Sequence, residues 1–321
     1  MSATTDAFWR RVQRRATALT PELSRAYLRA IETLKGRLRT QQVEQWIAAG
    51  AVEAVIHSAL SEANLDAAFA PFRGAMQMVT RDAVAYFGRD IPGVKRAGVT
   101  VLFDTLNPNV ITAVRALDTS MMRDLKDSVR ETVRAAIEQG LKDGVGPRTT
   151  ARGLRDVLGL SPTQRDAVQR YEAALRGGPR ESVLQGALDK LLRDRRFDKT
   201  VAAAKEGGYS LTEKQITTMT DAYRRRMVAF NAETNARTAT LDALKLGQRL
   251  SWDDARAKGV LDGLTMMRTY KGVLDDRERP EHLALEGETV PADQPYSSGQ
   301  MYAGEGDWNC RCIDIYHAAR N

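Results

Sequence analysis

Asp276-Arg277-Glu278-Arg279-Pro280-Glu281-His282, followed by Leu285-Glu286-Gly287 and closed further on by Asn309-Cys310-Arg311-Cys312, is the stretch on which the reading of this chain turns. Both cysteines of the protein and one of its three histidines lie in it. Between its two halves, residues 290–307 are rich in Pro, Gly, Ser and Tyr. Such a loop cannot build a core of its own and needs anchoring at both ends. Nearly everything upstream carries helical periodicity. The expected fold is therefore mainly α: an elongated helical body with a small α+β or irregular C-terminal module. The expected division is an N-terminal helical region (1–105), a helical body (106–250) and the small module (251–321).

Working outward, the periodicity fades after Leu250, where Trp252, Met266-Met267 and the run 270–274 suggest short extended pieces. Before them a helix is expected over 213–246, capped by Thr212 and ended by Gly247. Helix-start signals, a polar cap followed by Pro, stand at Thr20-Pro21, Asn107-Pro108 and Ser161-Pro162. The first separates a basic amphipathic helix over 6–19 from one carrying Leu23, Tyr27, Ile31 and Leu34. Helices follow over 41–49, 51–60 and 65–87, the last interrupted at Pro71. Residues 99–103 are β-prone and read as an extended connector or an isolated strand. From Val110 a stripe of Leu117, Met121, Leu125, Val129, Val133 and Ile137 recurs near i,i+4, a pattern that packs in a bundle or between subunits. Gly144-Val145-Gly146-Pro147 ends that helix, Thr149 or Thr150 caps the next, and residues 181–193 are again helical.

Composition narrows the function classes. A chain of 321 residues with 43% hydrophobic content can bury a sizeable core. Lys and Arg number 48 against 41 Asp and Glu, a net charge of +7. That balance permits contact with nucleic acid or an acidic partner, but the basic residues are spread among acidic ones. Two cysteines are too few for a disulfide framework. Residues 1–15 lack the apolar core of a secretory signal, and no apolar run is long enough to span a bilayer.

The order of signals resembles a known family. Asn107-Pro108 precedes a long helix, and Leu141 and Gly144 precede a short helix with Leu154-Arg155 that ends in Gly159-Leu160. Asp194, Arg196-Phe197-Asp198, a helix with Tyr223-Arg224-Arg225-Arg226, and Ala236-Arg237-Thr238 follow. Then come Asp276, His282, Leu285, Gly287 and Cys310-Arg311-Cys312. Over roughly residues 100–317 this is similar to the Mu protein F-like minor head proteins of tailed phages. The resemblance departs in two places: Ala239 stands where many relatives carry Glu, and Arg279 and His282 stand where some carry Cys-x-x-Cys, which removes a four-cysteine metal site. It implies a structural protein rather than an enzyme. It implies a minor capsid protein in the capsid interior, made in the host cytoplasm, whose partners are the portal or major capsid protein and, without sequence preference, packaged double-stranded DNA. A role in head assembly or DNA ejection follows, with no membrane in the mature particle.

The C-terminal module admits several chemistries. Asp276, Arg279, His282, Gly287, Cys310, Arg311 and Cys312 form the expected structural cluster, with Asp276 paired to Arg279 or Arg311 and no metal required. His282, Cys310 and Cys312 are also ligand types that suit zinc. A hydrolase-like Cys–His pair is the competing enzymatic reading. Arg224, Arg225, Arg226 and Arg237 are the candidates for DNA phosphates, weighed against ion pairs with Asp221 and Glu233. A helical nucleic-acid-binding protein outside any capsid is a third reading.

Overall fold

The computed structural model describes residues 3–94, 97–178 and 181–320. The described chain is mainly helical, as the periodicity requires, and ends in a small antiparallel sheet. It divides into two compact units. One comprises Met1–Tyr27, Ala70–Met122 and Glu233–Asn321, the other Leu28–Phe69 and Arg123–Ala232. The boundaries fall within the long helices α1 (Ala3–Arg37), α4 (Glu62–Gly88), α5 (Pro108–Lys142) and α10 (Glu213–Ala257).

The second unit also holds α2 (Thr40–Ala48), α3 (Val52–Ala59), α6 (Pro147–Val157), α7 (Pro162–Arg176), α8 (Glu181–Leu188) and α9 (Asp198–Gly207). Ser161 starts α7 with a full capping box: its hydroxyl accepts from the Gln164 backbone N–H, and the Gln164 side chain accepts from the Ser161 N–H. A core around Tyr171, Leu175, Leu184, Val201 and Met219 fills the space, with Tyr171 and Tyr223 stacked at 4.3 Å. Leu125, Val129, Val133 and Ile137 of the α5 stripe are all buried. The stripe is therefore interior packing and not a free face for another subunit. Lys126, on the same helix, is buried to its tip and pairs with Glu62 and Asp66.

The first unit carries the sheet, formed by β1 (Leu264–Lys271), β2 (Thr289–Pro291) and β3 (Ile313–Arg320) in the order β2-β1-β3. The register sets Tyr270 opposite Asp314, Arg268 opposite Tyr316 and Thr269 opposite Thr289. The sheet packs through Met266 and Tyr316 on Trp252, Leu250 and Val84. Residues 99–103 form a connector without regular secondary structure, with Val101 buried.

Several expected breaks are absent, for physical reasons. Pro21 and Pro71 lie inside α1 and α4, both exposed. A proline inside a helix costs about 3 kcal/mol. It is offset where large side chains are buried nearby, as Leu23 and Tyr27 are in α1 and Phe69 and Phe72 in α4, each contributing about 1.5–3 kcal/mol. Thr20 turns its hydroxyl to the Ala16 carbonyl at 2.8 Å rather than capping a new helix. Gly247 does not end α10, which runs to Ala257. Its missing side chain instead admits α4: a Cβ there would lie 2.3 Å from Ala83 Cβ and 2.7 Å from the Thr80 carbonyl oxygen. The helix after Pro147 takes Gly146 as its cap, so neither Thr149 nor Thr150 serves. The helix expected over 181–193 stops at Leu188 and gives way to turns and a short 3-10 segment, Arg195–Phe197. Among the described residues no helix is long and apolar enough to cross a membrane.

Candidate functional site

The C-terminal module is assembled from three pieces of chain. After β1 a tight turn through residues 272–279 leads into the single helical turn α11 (Pro280–Leu283), with Pro280 at its first position and Arg279 as its cap. This turn lifts His282 into the interior, where 4% of it remains exposed. Gly287, at φ +83°, turns the chain into β2. The long loop then returns to Cys310 and Cys312, both buried and both free thiols, immediately before β3.

The sulfurs of Cys310 and Cys312 each lie 3.5 Å from His282 Nδ1. The opposite ring nitrogen, Nε2, is 3.0 Å from the Asp307 carboxylate. The Cys312 backbone N–H points to the Cys310 sulfur at 3.4 Å, and the Cys312 thiol lies 3.4 Å from Glu278 Oε1. Glu278 uses its other oxygen to accept from the Leu274 backbone N–H. The thiols split in acidity. Cys310 is held down to about 6, chiefly by the hydrogen bond from Cys312 and further by the Lys245 charge; Cys312 is pushed far up by that same bond and by burial. The pair thus favours a Cys310 thiolate beside a Cys312 thiol.

Ion pairs and hydrogen bonds around the cluster lock this arrangement. Arg311 clamps Asp275 through two bonds of 2.7 Å, which holds the Asp275 carboxyl well below its ordinary range. Arg279 reaches the Asp307 carboxylate at 3.3 Å and the Trp308 carbonyl at 3.1 Å. From α10, Thr238 accepts the Asn309 backbone N–H at 2.8 Å and Arg237 donates to the Asn309 side chain at 3.3 Å. From α1, Trp9 and Gln13 donate to the Arg311 carbonyl at 3.4 and 3.0 Å. Ala239, the position without the acidic residue of many relatives, is fully buried.

The structure thus brings together His282, Cys310, Arg311, Cys312 and Arg279, with Gly287 at the turn. It does not bring in Asp276, which is exposed on the turn. The partner of Arg311 is Asp275, because Asp275 opens that turn by accepting the Arg277 backbone N–H and so faces inward. Of the basic candidates, Arg224 pairs with Asp221 and Asp156, Arg226 with Asp194 and the Arg193 carbonyl, and Arg237 with Glu233. Arg225 is exposed and has no ion pair among the described residues.

The loop over 290–307 is anchored at a residue that the motif reading passed over. Asp314 on β3 accepts from the Tyr296 hydroxyl at 2.7 Å and from the Ala303 backbone N–H. Its burial pushes its carboxyl pKa up. Beside it, Arg268 is fully buried, 3.9 Å from Asp314 and 4.7 Å from the Tyr296 ring. Strand alternation carried the signal: Met266, Arg268 and Tyr270 share the inward face. Trp9 and Gln13 had no such signal, because nothing local in α1 marks the carbonyl they reach.

Fold and site together define a mainly helical protein that closes on a three-stranded module with a buried thiol–imidazole cluster. Residues 198–315 match the family described as phage Mu protein F like protein. That match covers just over a third of the chain and supports the resemblance to phage head-morphogenesis proteins that the order of motifs implied. No curated protein and no solved structure matches the chain.

Proposed function

We propose that this chain is a minor head protein of a tailed phage, placed at the portal or the inner capsid wall beside packaged DNA, where it assists head assembly or genome delivery. The observation that carries this reading is the family match over residues 198–315, which spans both α10 and the C-terminal module. The module itself supports a structural role over a catalytic one. The cleft that reaches His282, Cys310 and Cys312 holds only about 110 Å³, whereas small-molecule sites occupy about 300–1,000 Å³. The net charge of +7 suits proximity to DNA. Because Arg224, Arg226 and Arg237 are engaged by carboxylates, contact with DNA is weak, sequence-blind and salt-sensitive, with Arg225 as its exposed member on that helix. Quantitative mass spectrometry of purified virions and procapsids tests the assignment. A few copies per particle are expected, and absence from both kinds of particle refutes it.

A further inference from the structure

We infer that His282, Cys310 and Cys312 form a three-donor binding site for a thiophilic divalent cation, zinc in the first instance, with the fourth position open beside Glu278. His282 Nδ1 and the two sulfurs all lie within 4.8 Å of one another, and all three side chains are buried. Zinc binds sulfur at about 2.3 Å and imidazole nitrogen at about 2.0–2.1 Å, which in a tetrahedron sets sulfur and nitrogen about 3.5 Å apart. Both observed separations are 3.5 Å. Each sulfur thus stands one tetrahedral edge from the imidazole nitrogen, and the two sulfurs lie within 4.8 Å of each other. Glu278 Oε1 lies 3.4 Å from the Cys312 sulfur and lines the same cleft, outside the close group of three donors. Its second oxygen is already occupied by the Leu274 backbone N–H, which aims the free one at the cluster.

The surroundings match what a ligating histidine needs. A metal-bound imidazole almost always gives its other N–H to a carboxylate or carbonyl, which fixes the tautomer and the ring. Here Nε2 meets Asp307 at 3.0 Å while Nδ1 faces the two sulfurs. Asp307 is itself held by Arg279 and by Gln300. The Cys312 backbone N–H supports the Cys310 sulfur. Cys310 also leans on Gly304, where a Cβ would lie 2.3 Å from its sulfur, so the loop is cut to admit that thiol. A hydrogen-bonded thiol pair alone gives no reason for this carboxylate–imidazole relay to converge on two sulfurs. The site is structural in kind: it ties the turn before β2 to the start of β3.

The test uses the full chain. Zinc content by elemental analysis, and titration of the chelated protein with cobalt(II), are the readouts. About one metal per chain is expected, and the cobalt form should show a sulfur-to-metal band with tetrahedral visible absorption. Cys310→Ser, Cys312→Ser and His282→Ala should each lose that spectrum, with folding checked by circular dichroism. Asp307→Asn leaves every ligand in place and should weaken metal affinity about 10–100-fold, which keeps the test decisive if a ligand variant fails to fold. A folded wild-type chain that takes up neither zinc nor cobalt overturns the inference. So does metal uptake unchanged in the cysteine and histidine variants.

Discussion

Gly247→Ala separates two accounts of that glycine. If it were only a weak point in α10, alanine would stabilise the helix by about 1 kcal/mol. The structure says otherwise, because α4 passes directly over it. The new Cβ would lie 2.3 Å from Ala83 Cβ, 2.7 Å from the Thr80 carbonyl and 3.1 Å from the Val84 nitrogen. Two of these are backbone atoms that cannot rotate away, so the helices must part by roughly 1 Å to reach ordinary contact distance. Overpacking of this kind costs about 1–3 kcal/mol. The upper end applies here, and subtracting the propensity gain leaves a loss of about 2 kcal/mol. Gly153→Ala is the control: that glycine is also helical, but nothing lies within 4 Å of its Cβ position. It should gain up to about 1 kcal/mol. Urea unfolding followed by far-ultraviolet circular dichroism reads both variants, each on the transition of its own unit if the two separate. Ala83→Gly placed on top of Gly247→Ala should recover part of the loss. If Gly247→Ala is as stable as the wild type or tracks Gly153→Ala, the close approach of α4 is not what the glycine serves.

Asp314→Ala strands the buried Arg268 without its nearest carboxylate and should cost about 3–5 kcal/mol by urea unfolding; a loss below about 1 kcal/mol would mean that the Gln294 carbonyl and the rings of Tyr296 and Tyr302 suffice to hold that charge. Acid sensitivity has an assignable contributor in Asp194, whose carboxyl is lowered from 3.8 to about 2, chiefly by its hydrogen bond from Arg196. Because the folded value is depressed, the contribution is complete above 3.8 and disappears as the pH falls to about 2; Asp194→Asn should flatten that part of the stability–pH curve, and an unchanged curve would show that the pairing is not felt.

Much of this architecture is legible in the residues. The α5 stripe, the Ser161-Pro162 start and the Thr212 cap specify their helices locally, since each signal acts within a turn or two of chain. The convergence of His282, Cys310 and Cys312 followed from a loop too polar to stand alone. What local patterning misreads is the outcome of competition. Pro21, Pro71 and Gly247 are strong local breakers, overruled by burial and close packing that only the assembled helices display. Asp275 rather than Asp276 meets Arg311 because one turn decides which of two adjacent carboxylates faces in. Arg268 and Asp314 were readable as inward strand positions, but a charged residue on such a face is expected outside until its partner is known.

The bonds from Trp9 and Gln13 to the Arg311 carbonyl join residues about three hundred apart in the chain. During synthesis the first helix must wait, with its indole and amide unclaimed, until the stretch between the two cysteines has emerged. Contacts of such separation are the slowest to close, since the whole intervening chain must be gathered before any reward is collected. The latch is therefore among the last joints of the protein to shut, and an interruption anywhere along the chain leaves both its jaws open.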